Sequence, residues 1–236
     1  VPLTETESSM DLLVKRLEQM PGFKYVIFVL KAFIENFVET GTKEHPSKVD
    51  IGPINTMISS NYIDGMRLRA SAQTTANLNP HLFFKGYYAY GFKDHRSKGM
   101  AEVEYSFNKK EYLPREFPKN SITGTFLYDV MAPTDKFLKT DKDNVFTSFK
   151  TTTVDQMMYV RNIAMKYERE TEWGFKTTVE VKNTNDEPTG KLVYIKNDDA
   201  RTVVPDITTT EASLTLRYAP GETFINTKQR RIPVSF

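Results

Sequence analysis

Glu102 and Glu104 are the residues whose type and spacing come closest to a catalytic pair. They stand two positions apart in a stretch of alternating polar and apolar residues, so a β-strand would place both carboxyl groups on one face. Two carboxyl groups on one face can share the roles of general acid and general base. Alternation by itself produces the same pair, and nothing else in the sequence indicates a catalytic pocket around it. We therefore predict that the protein is not an enzyme.

Two oxygen-rich stretches have ligands of the kind that calcium prefers. Asp141 and Asp143 stand two positions apart and are followed by Asn144, but Val145 occupies a position where an EF-hand loop needs a further oxygen. Residues 183–187 have a similar composition. A solvated loop explains both stretches better than a calcium site does. We predict no metal site and no cofactor.

The sequence carries none of the common catalytic or nucleotide-binding motifs. P-loop, dinucleotide-fingerprint, HExxH and GxSxG patterns are absent. The histidines are scattered over predicted turns and strand ends: His45, His81 and His95. Cysteine is absent, which excludes disulfide bonds, thiolate metal ligands and a cysteine nucleophile. Arg230 and Arg231 could contact lipid headgroups, but two charges carry little weight.

The charge balance argues against a nucleic-acid partner. Lys and Arg total 32 against 30 Asp and Glu, a net charge of +2, whereas nucleic-acid binding requires a concentrated basic surface.

The longest apolar run, residues 25–30, is far shorter than the roughly 18 residues that a membrane-spanning helix needs. The chain begins Val-Pro, without an initiator Met or a signal segment, so we expect a mature product or an excised piece of a longer protein.

A predicted β-hairpin over residues 81–107 dominates the pattern. Apolar and polar residues alternate in both of its arms, and a polar turn separates them. The same two-residue period recurs along the chain, and the predicted strands cover residues 66–73, 82–92, 101–107, 121–130, 159–168, 173–182 and 211–218. Further short strands are compatible with residues 54–58, 145–150 and 192–195. Loops are predicted at residues 108–120, 132–156 and 183–207.

The two faces of these predicted strands differ in chemistry. Charges lie on one face, which we predict lines a polar interior: Arg67, Arg69, Lys85, Glu102, Glu104 and Asp129. Aromatic and aliphatic residues occupy the other face, which we predict contacts lipid: Phe84, Tyr88, Tyr90, Val103, Tyr105 and Phe107. Membrane β-barrels have this pattern, because a Lys or Arg on the lipid face at mid-bilayer would cost about 2–4 kcal/mol. Arg161 is the exception on the apolar side, near a strand end.

Two amphipathic helices are predicted ahead of the strands, over residues 4–20 and 23–38. Thr4 and Glu7 have the spacing of a capping box at the start of the first helix. Pro21 separates the two helices, since proline interrupts a helix. Each helix has its apolar residues on one stripe, so both could pack against another layer of protein.

Several stretches carry a resemblance to a known family: DIGPINTMISSNYIDGMRLR (50–69), YAYGFKD (88–94), EVEYSFNKKEY (102–112), TDKDNVF (140–146) and RYAPGETFINTKQRRIPV (217–234). On these stretches the sequence resembles a family of uncharacterised Gram-negative outer-membrane proteins in which a carboxypeptidase-like regulatory domain precedes a β-barrel of unknown function. The resemblance implies a location and an architecture but no reaction. Members of that family continue through further strands, so we expect this chain to be truncated at its C-terminal end and to lack the regulatory domain.

The sequence therefore predicts an all-β fold, an incomplete antiparallel up-and-down transmembrane β-barrel preceded by two short α-helices. Residues 1–42 form the predicted helical periplasmic segment and residues 43–236 the barrel portion, in which residues 223–236 are a loop that enters a further strand. The predicted function is transport, export or envelope assembly in the outer membrane, with lipid and unidentified envelope proteins as partners. The alternative is a soluble antiparallel β-barrel that binds an apolar ligand inside, with the Phe84 face turned inward.

Overall fold

A computed structural model shows an all-β protein of antiparallel strands. The structure describes residue 22 and residues 36–42, 44–137, 154–226 and 231–234. The strands are β1 (Val38–Glu39), β2 (Val49–Ile51), β3 (Ile58–Asn61), β4 (Gly65–Thr74), β5 (Leu82–Gly91), β6 (Ser97–Ser106), β7 (Asn120–Met131), β8 (Gln156–Glu170), β9 (Phe175–Gly190), β10 (Tyr194–Ile195), β11 (Val203–Val204), β12 (Ile207–Tyr218), β13 (Thr223–Asn226) and β14 (Arg231–Val234). Short 3₁₀ turns occupy Ile54–Thr56 and Pro133–Phe137.

One large sheet contains most of these strands. Its ten strands follow the order β1-β2-β4-β5-β6-β7-β8-β9-β12, with β3 also paired to β4. From β4 to β9 each strand pairs with the next one in the chain, which is an up-and-down arrangement. The described strands do not close into a ring, because β1 and β12 are the two edges of the sheet. Separate hairpins are formed by β10 with β11 and by β13 with β14.

The alternating segments of the sequence are confirmed as the long strands of this sheet. In β4, Arg67 and Arg69 are buried while Met66 and Leu68 are exposed, as a period of two requires. The same alternation of covered and exposed positions recurs in β6 and in residues 161–165 of β8, whereas residues 157–160 of β8 are all buried. The pattern of the hydrophobic residues thus predicted the long strands correctly.

Strand β9 is longer than the sequence predicts. It continues through residues 183–187, which the composition had favoured as an oxygen-rich loop, so that prediction is wrong. These residues pair with β12, and the Asn183 side chain donates to the Thr210 hydroxyl at 2.8 Å. Both faces of the strand are polar there, so no apolar alternation marks it.

The predicted helices lie almost wholly outside the described residues and are not confirmed. Only residues 36–38 of the second helix are described, and they are not helical: Val38 begins β1, which pairs with β2. The possible strand over residues 145–150 also lies outside the described residues. The predicted loop over residues 223–236 is wrong in its described part, because β13 and β14 form a hairpin.

Strands β2 and β3 lie along β4 as one interrupted strand. Ile51 is opposite Ala72 and Ile58 is opposite Leu68, so the residues between them outnumber their partners on β4. The extra length forms a bulge that contains the 3₁₀ turn Ile54–Thr56. This bulge breaks the N-terminal edge into short pieces, a feature that discourages pairing with another chain.

One ion pair shows that the sheet curves. Arg67 on β4 donates to the Asp129 carboxylate on β7 at 2.7 Å and 3.0 Å, although these strands are three steps apart in the sheet. Strands lie about 4.8 Å apart, so a flat sheet would separate the two strands by about 14 Å. The sheet therefore bends toward this pair. We call the side with Arg67 and Asp129 the inner face and the opposite side the outer face.

The connections between the long strands lie at two ends of the sheet. At the upper end they are residues 62–64, 92–96 and 191–206, together with the described residues 132–137 and 154–155 of the connection between β7 and β8. At the lower end they are residues 75–81, 107–119 and 171–174. Loop 107–119 is the long connection of the lower end.

Candidate functional site on the inner face

A buried cluster of ionised side chains occupies the upper part of the inner face. The guanidinium of Arg67 is fully buried and contacts two carboxylates, that of Asp129 at 2.7 Å and that of Asp64 at 3.0 Å. Tyr87 on β5 also donates its hydroxyl to Asp129. The Arg67–Asp129 contact is bidentate, the strongest form of this ion pair. It ties together strands that are not neighbours in the sheet.

The cluster continues to the upper rim. The buried ammonium of Lys98 on β6 binds Asp64 and also Asp94, which lies in the turn after β5. Tyr159 near the start of β8 donates to Asp94 at 2.8 Å. Burial would raise the pKa of the Asp94 carboxyl, but the hydrogen bonds from Lys98 and Tyr159 outweigh burial and lower that pKa. Asp94 is therefore held as a carboxylate.

Loop 107–119 covers the lower end of the inner face and is held in shape by its own side chains. The Glu116 carboxylate accepts hydrogen bonds from the backbone N–H groups of residues 111–113 at 2.7–2.9 Å. The Lys110 ammonium donates to the carbonyl oxygens of Glu116 and Pro118 at 2.5 Å and 2.8 Å. An anion and a cation thus satisfy the polar backbone groups that a loop would otherwise leave to water.

The same loop is fastened to the sheet. The Tyr112 hydroxyl donates to the buried Asp50 carboxylate on β2 at 3.0 Å. The Tyr112 carbonyl accepts a hydrogen bond from the Ala76 N–H at 2.8 Å. Leu113 follows in the chain and is only 1% exposed. The loop is therefore a packed cover over the lower end and not a free surface segment.

A cavity of about 210 Å³ lies between loop 107–119 and the inner face. Apolar side chains form part of its wall, among them Phe83 and Leu113. The charged side chains that line it are Lys85, Glu102, Glu104, Arg115 and Lys119. Ligand sites typically combine an apolar wall with a few placed polar groups. Both occur together in this cavity.

Lys119 links the carboxylates at the lower end. Its ammonium lies 3.4 Å from the Glu104 carboxylate and 2.7 Å from that of Glu168. Burial lowers the pKa of the Lys119 ammonium, but the negative charges of Glu104 and Glu168 outweigh burial and leave this pKa above its usual value. Lys119 is therefore a charged ion-pair partner and is not available as a general base.

The residues predicted for a polar interior fall into two groups. Arg67 and Asp129 belong to the upper cluster, and Arg69 is buried beside it with its guanidinium 3.7 Å from the centre of the Tyr87 ring. The members that line the lower cavity are Lys85, Glu102 and Glu104. Lys85 is exposed and Glu102 half-buried, while Glu104 is buried.

The residues predicted to contact lipid lie on the outer face. Five of them are exposed: Phe84, Tyr88, Val103, Tyr105 and Phe107. Tyr90 is partly covered, with the Phe92 ring edge-on at 5.4 Å between centroids. Later strands extend this apolar surface, because Phe126 on β7 and Leu214 on β12 are also exposed.

The remaining residues that the sequence offered for a chemical role are the histidines and the oxygen-rich stretches. Where the structure describes the histidines, their rings lie close to ordinary polar partners. The His81 ring contacts the Ser106 carbonyl at 2.8 Å, and the His95 ring lies 3.3 Å from the Tyr90 hydroxyl. In the described part of the chain, no group of His, Asp and Glu is arranged to hold a metal ion. The candidate calcium stretch at residues 141–144 lies outside the described residues. Among the described residues there is no helix long and apolar enough to cross a membrane.

Several members of the upper cluster were not among the predicted interior residues: Asp64, Asp94 and Lys98. Asp64 and Asp94 lie in turns, where alternation assigns no face. Lys98 carries a usable signal, because it stands four positions before Glu102 and continues the same polar alternation along β6. If the polar alternation of β6 is extended back from Glu102 toward the turn at residues 92–96, it predicts that Lys98 lies on the same face.

Comparisons with known proteins leave the chain without a match. No family model, no curated protein and no solved structure matches it. The function must therefore be argued from the geometry of the two faces and from the residues on them.

Proposed function

We propose that the chain forms part of a β-barrel in a bacterial outer membrane and acts in transport, export or envelope assembly, not in catalysis. The observation that carries this proposal is the chemical difference between the faces. The outer face exposes aromatic and aliphatic side chains from β4 to β12, whereas the inner face buries ionised and hydroxyl side chains. A water-soluble sheet with one buried face has the opposite arrangement.

Lipid would cover the outer face at a large gain in free energy. Met165, Leu214 and Tyr218 are each 64% exposed. Burying an apolar side chain of this size contributes about 1.5–3 kcal/mol. Strands β4, β5 and β6 have 10 residues each, within the roughly 9–11 residues of a tilted membrane strand. Strands β7 and β12 have 12 residues, and β8 and β9 have 15 and 16, so each long strand reaches the length of a membrane strand. The chemistry of the outer face supports the same environment.

A membrane barrel needs more strands than this open sheet supplies. Each backbone N–H or C=O group without a partner costs several kcal/mol in hydrocarbon, so both edges must be paired. The edges are β1 and β12. In this proposal, further strands of the same polypeptide pair with them, as the resemblance to outer-membrane proteins implies. The part of residues 1–42 that precedes β1 then belongs to the periplasmic side.

The alternative, a soluble barrel with an apolar ligand inside, requires the Phe84 face to turn inward. Phe84 and Tyr88 instead lie on the outer face, where they are 46% and 58% exposed. The inner face holds Arg67, Lys98 and Asp129. An apolar ligand would gain little from that surface, because bringing it there would desolvate charges. The orientation of the faces therefore favours the membrane proposal over this alternative.

Cysteine labelling tests the orientation directly. The chain has no cysteine, so each introduced thiol reports on one position. In membranes, we expect Tyr88→Cys and Val103→Cys to react with a lipid-soluble maleimide and to resist a water-soluble one. Lys85→Cys and Glu104→Cys should show the reverse selectivity. If the outer cysteines react only with the water-soluble reagent, the membrane proposal is wrong.

Detergent dependence provides an independent test. We expect the purified chain to aggregate in buffer and to become monodisperse in detergent, because its outer face is apolar over several strands. Size-exclusion chromatography with light scattering measures both states. A monodisperse, detergent-free monomer with a cooperative melt would contradict the proposal, since that protein would have to cover the outer face with its own chain.

A further inference from the structure

The cavity under loop 107–119 contains two opposite charges that do not pair with each other. Lys85 and Glu102 stand directly opposite on β5 and β6 and both line the cavity. Opposite charges in cross-strand positions commonly interact. Within the part of the chain that the structure describes, however, neither side chain makes an ion pair or a hydrogen bond. An ammonium and a carboxylate are therefore both open to a ligand on one wall.

A third charged group in the cavity is buried and incompletely satisfied. Glu104 is 5% exposed, and its Oε1 accepts no hydrogen bond from any described residue. The nearest cation, the Lys119 ammonium, lies 3.4 Å from this oxygen. A buried carboxylate oxygen without a hydrogen bond is costly, so a donor that enters the cavity would be bound favourably.

The size and the apolar wall of the cavity limit what can bind. Its volume of about 210 Å³ corresponds to about seven water molecules at about 30 Å³ each. That is room for one molecule of amino-acid size. Pro114, which is half-buried, supplies apolar surface for an aliphatic side chain, whereas Phe83 and Leu113 are only 3% and 1% exposed. A ligand that carries both charges and a short aliphatic group would match Lys85, Glu102 and this apolar surface.

We propose that the cavity binds a free α-amino acid with an aliphatic side chain. Its ammonium group lies against the carboxylates of Glu102 and Glu104, and its carboxylate binds the Lys85 ammonium. Its side chain packs on Pro114. Both ionic contacts form at once only with a zwitterion, so a molecule with one of the two charges loses half of the recognition. In a barrel, this site would lie within the lumen.

Isothermal titration calorimetry on the detergent-solubilised chain tests this assignment. The probes are L-leucine, L-valine and L-alanine, together with isoamylamine, which lacks the carboxylate of leucine, and isocaproate, which lacks its amino group. We expect L-leucine to bind at least about tenfold more tightly than either analogue, the factor expected from one charged hydrogen bond. Absence of binding by all three amino acids, or equal affinity for leucine and its analogues, would overturn the proposal.

Two variants test separately how the carboxylate and the ammonium group of the ligand are bound. Lys85→Met should weaken L-leucine binding about tenfold or more and leave isoamylamine unchanged, while Glu102→Gln should weaken L-leucine similarly and leave isocaproate unchanged. Lys109→Met and Glu180→Gln are the matched controls, because these residues do not line the cavity. Circular dichroism verifies that each variant folds. If Lys85→Met and Glu102→Gln bind leucine like the controls, the site is wrongly placed. The cavity lies on the inner face, so this result is independent of cysteine labelling on the outer face.

Discussion

Strands β4 to β7 and strands β9 and β12 belong to one sheet but differ in how their inner faces are covered. In the first group, Arg67, Asp129 and Lys98 are buried by contacts that cross several strands. In the second group, β12 is exposed along its whole length on both faces. The alternation of side chains is similar in both groups, so it does not explain the difference.

What differs is how far side chains of the inner face meet across the sheet. Arg67 reaches Asp129 because the sheet curves between β4 and β7. The described part of β12 is exposed, and its charged side chains pair only with near neighbours: Glu211 with Lys182 on β9 at 2.8 Å, and Arg217 with Glu222 in the turn after β12. Alternation places the charged side chains on one face of the strands. Because the sheet curves toward that face, these side chains contact one another and are buried.

The largest effect should come from breaking the network in the first group. Asp129→Asn removes the bidentate partner of Arg67 and leaves a buried guanidinium with less compensation. We expect the free energy of unfolding to fall by about 3–5 kcal/mol, the usual cost of breaking a buried ion pair. Urea unfolding in detergent measures the change.

Thr215→Ala on β12 is the control for this comparison. An exposed substitution away from such a network should change the free energy of unfolding by no more than about 0.5 kcal/mol. If Asp129→Asn costs as little as Thr215→Ala, the Arg67–Asp129 contact does not hold the curvature of the sheet.

An intermediate effect should depend on pH. The pKa of Asp94 is lowered in the folded protein, so its contribution to stability is complete above the unfolded pKa of about 3.9 and is lost as the pH falls through the folded pKa. Asp94→Asn removes this contribution. We expect the stability difference between wild type and Asp94→Asn to be constant near neutral pH and to shrink in acid. Thermal melts over this pH range check the trend, and a difference that does not shrink would contradict it.

The smallest effect should come from the exposed pair in the second group. Glu211→Gln breaks the contact with Lys182, whose side chain is 37% exposed while that of Glu211 is 54% exposed. Such pairs contribute less than about 1 kcal/mol and are screened by salt. Unfolding at low and high ionic strength measures both properties. A loss as large as that of Asp129→Asn would remove the distinction between the two groups of strands.

The sequence was most informative where one face of a strand is apolar. The alternation around Leu68, Val103 and Leu214 predicted long antiparallel strands, because successive side chains of a strand point to opposite faces. It was least informative where both faces are polar, as in residues 183–187 of β9. There the hydrogen bonds to β12 decide the structure, and these depend on a partner that is distant in sequence.

The candidate site was only partly predictable for a related reason. Periodicity placed Arg67, Asp129 and Glu104 on one face, but it carries no information on which of them meet. The pairing depends on the curvature of the sheet, which follows from twist and register over many strands. Loop 107–119 was predicted as a loop, but its inward packing rests on Glu116 and Tyr112, whose partners the spacing does not reveal.

Loop 107–119 also has a consequence for the order in which the protein folds. Glu116 binds backbone groups three to five positions away, whereas Arg67 and Asp129 are 62 positions apart. Contacts between near neighbours close small loops of chain and lose little entropy, while distant contacts must wait until the chain between them is ordered. The loop can therefore take its local shape while the strands are still pairing. Its hydrogen bond from Tyr112 to Asp50, also 62 positions apart, and the Arg67–Asp129 contact form later, once the strands that carry them are in place.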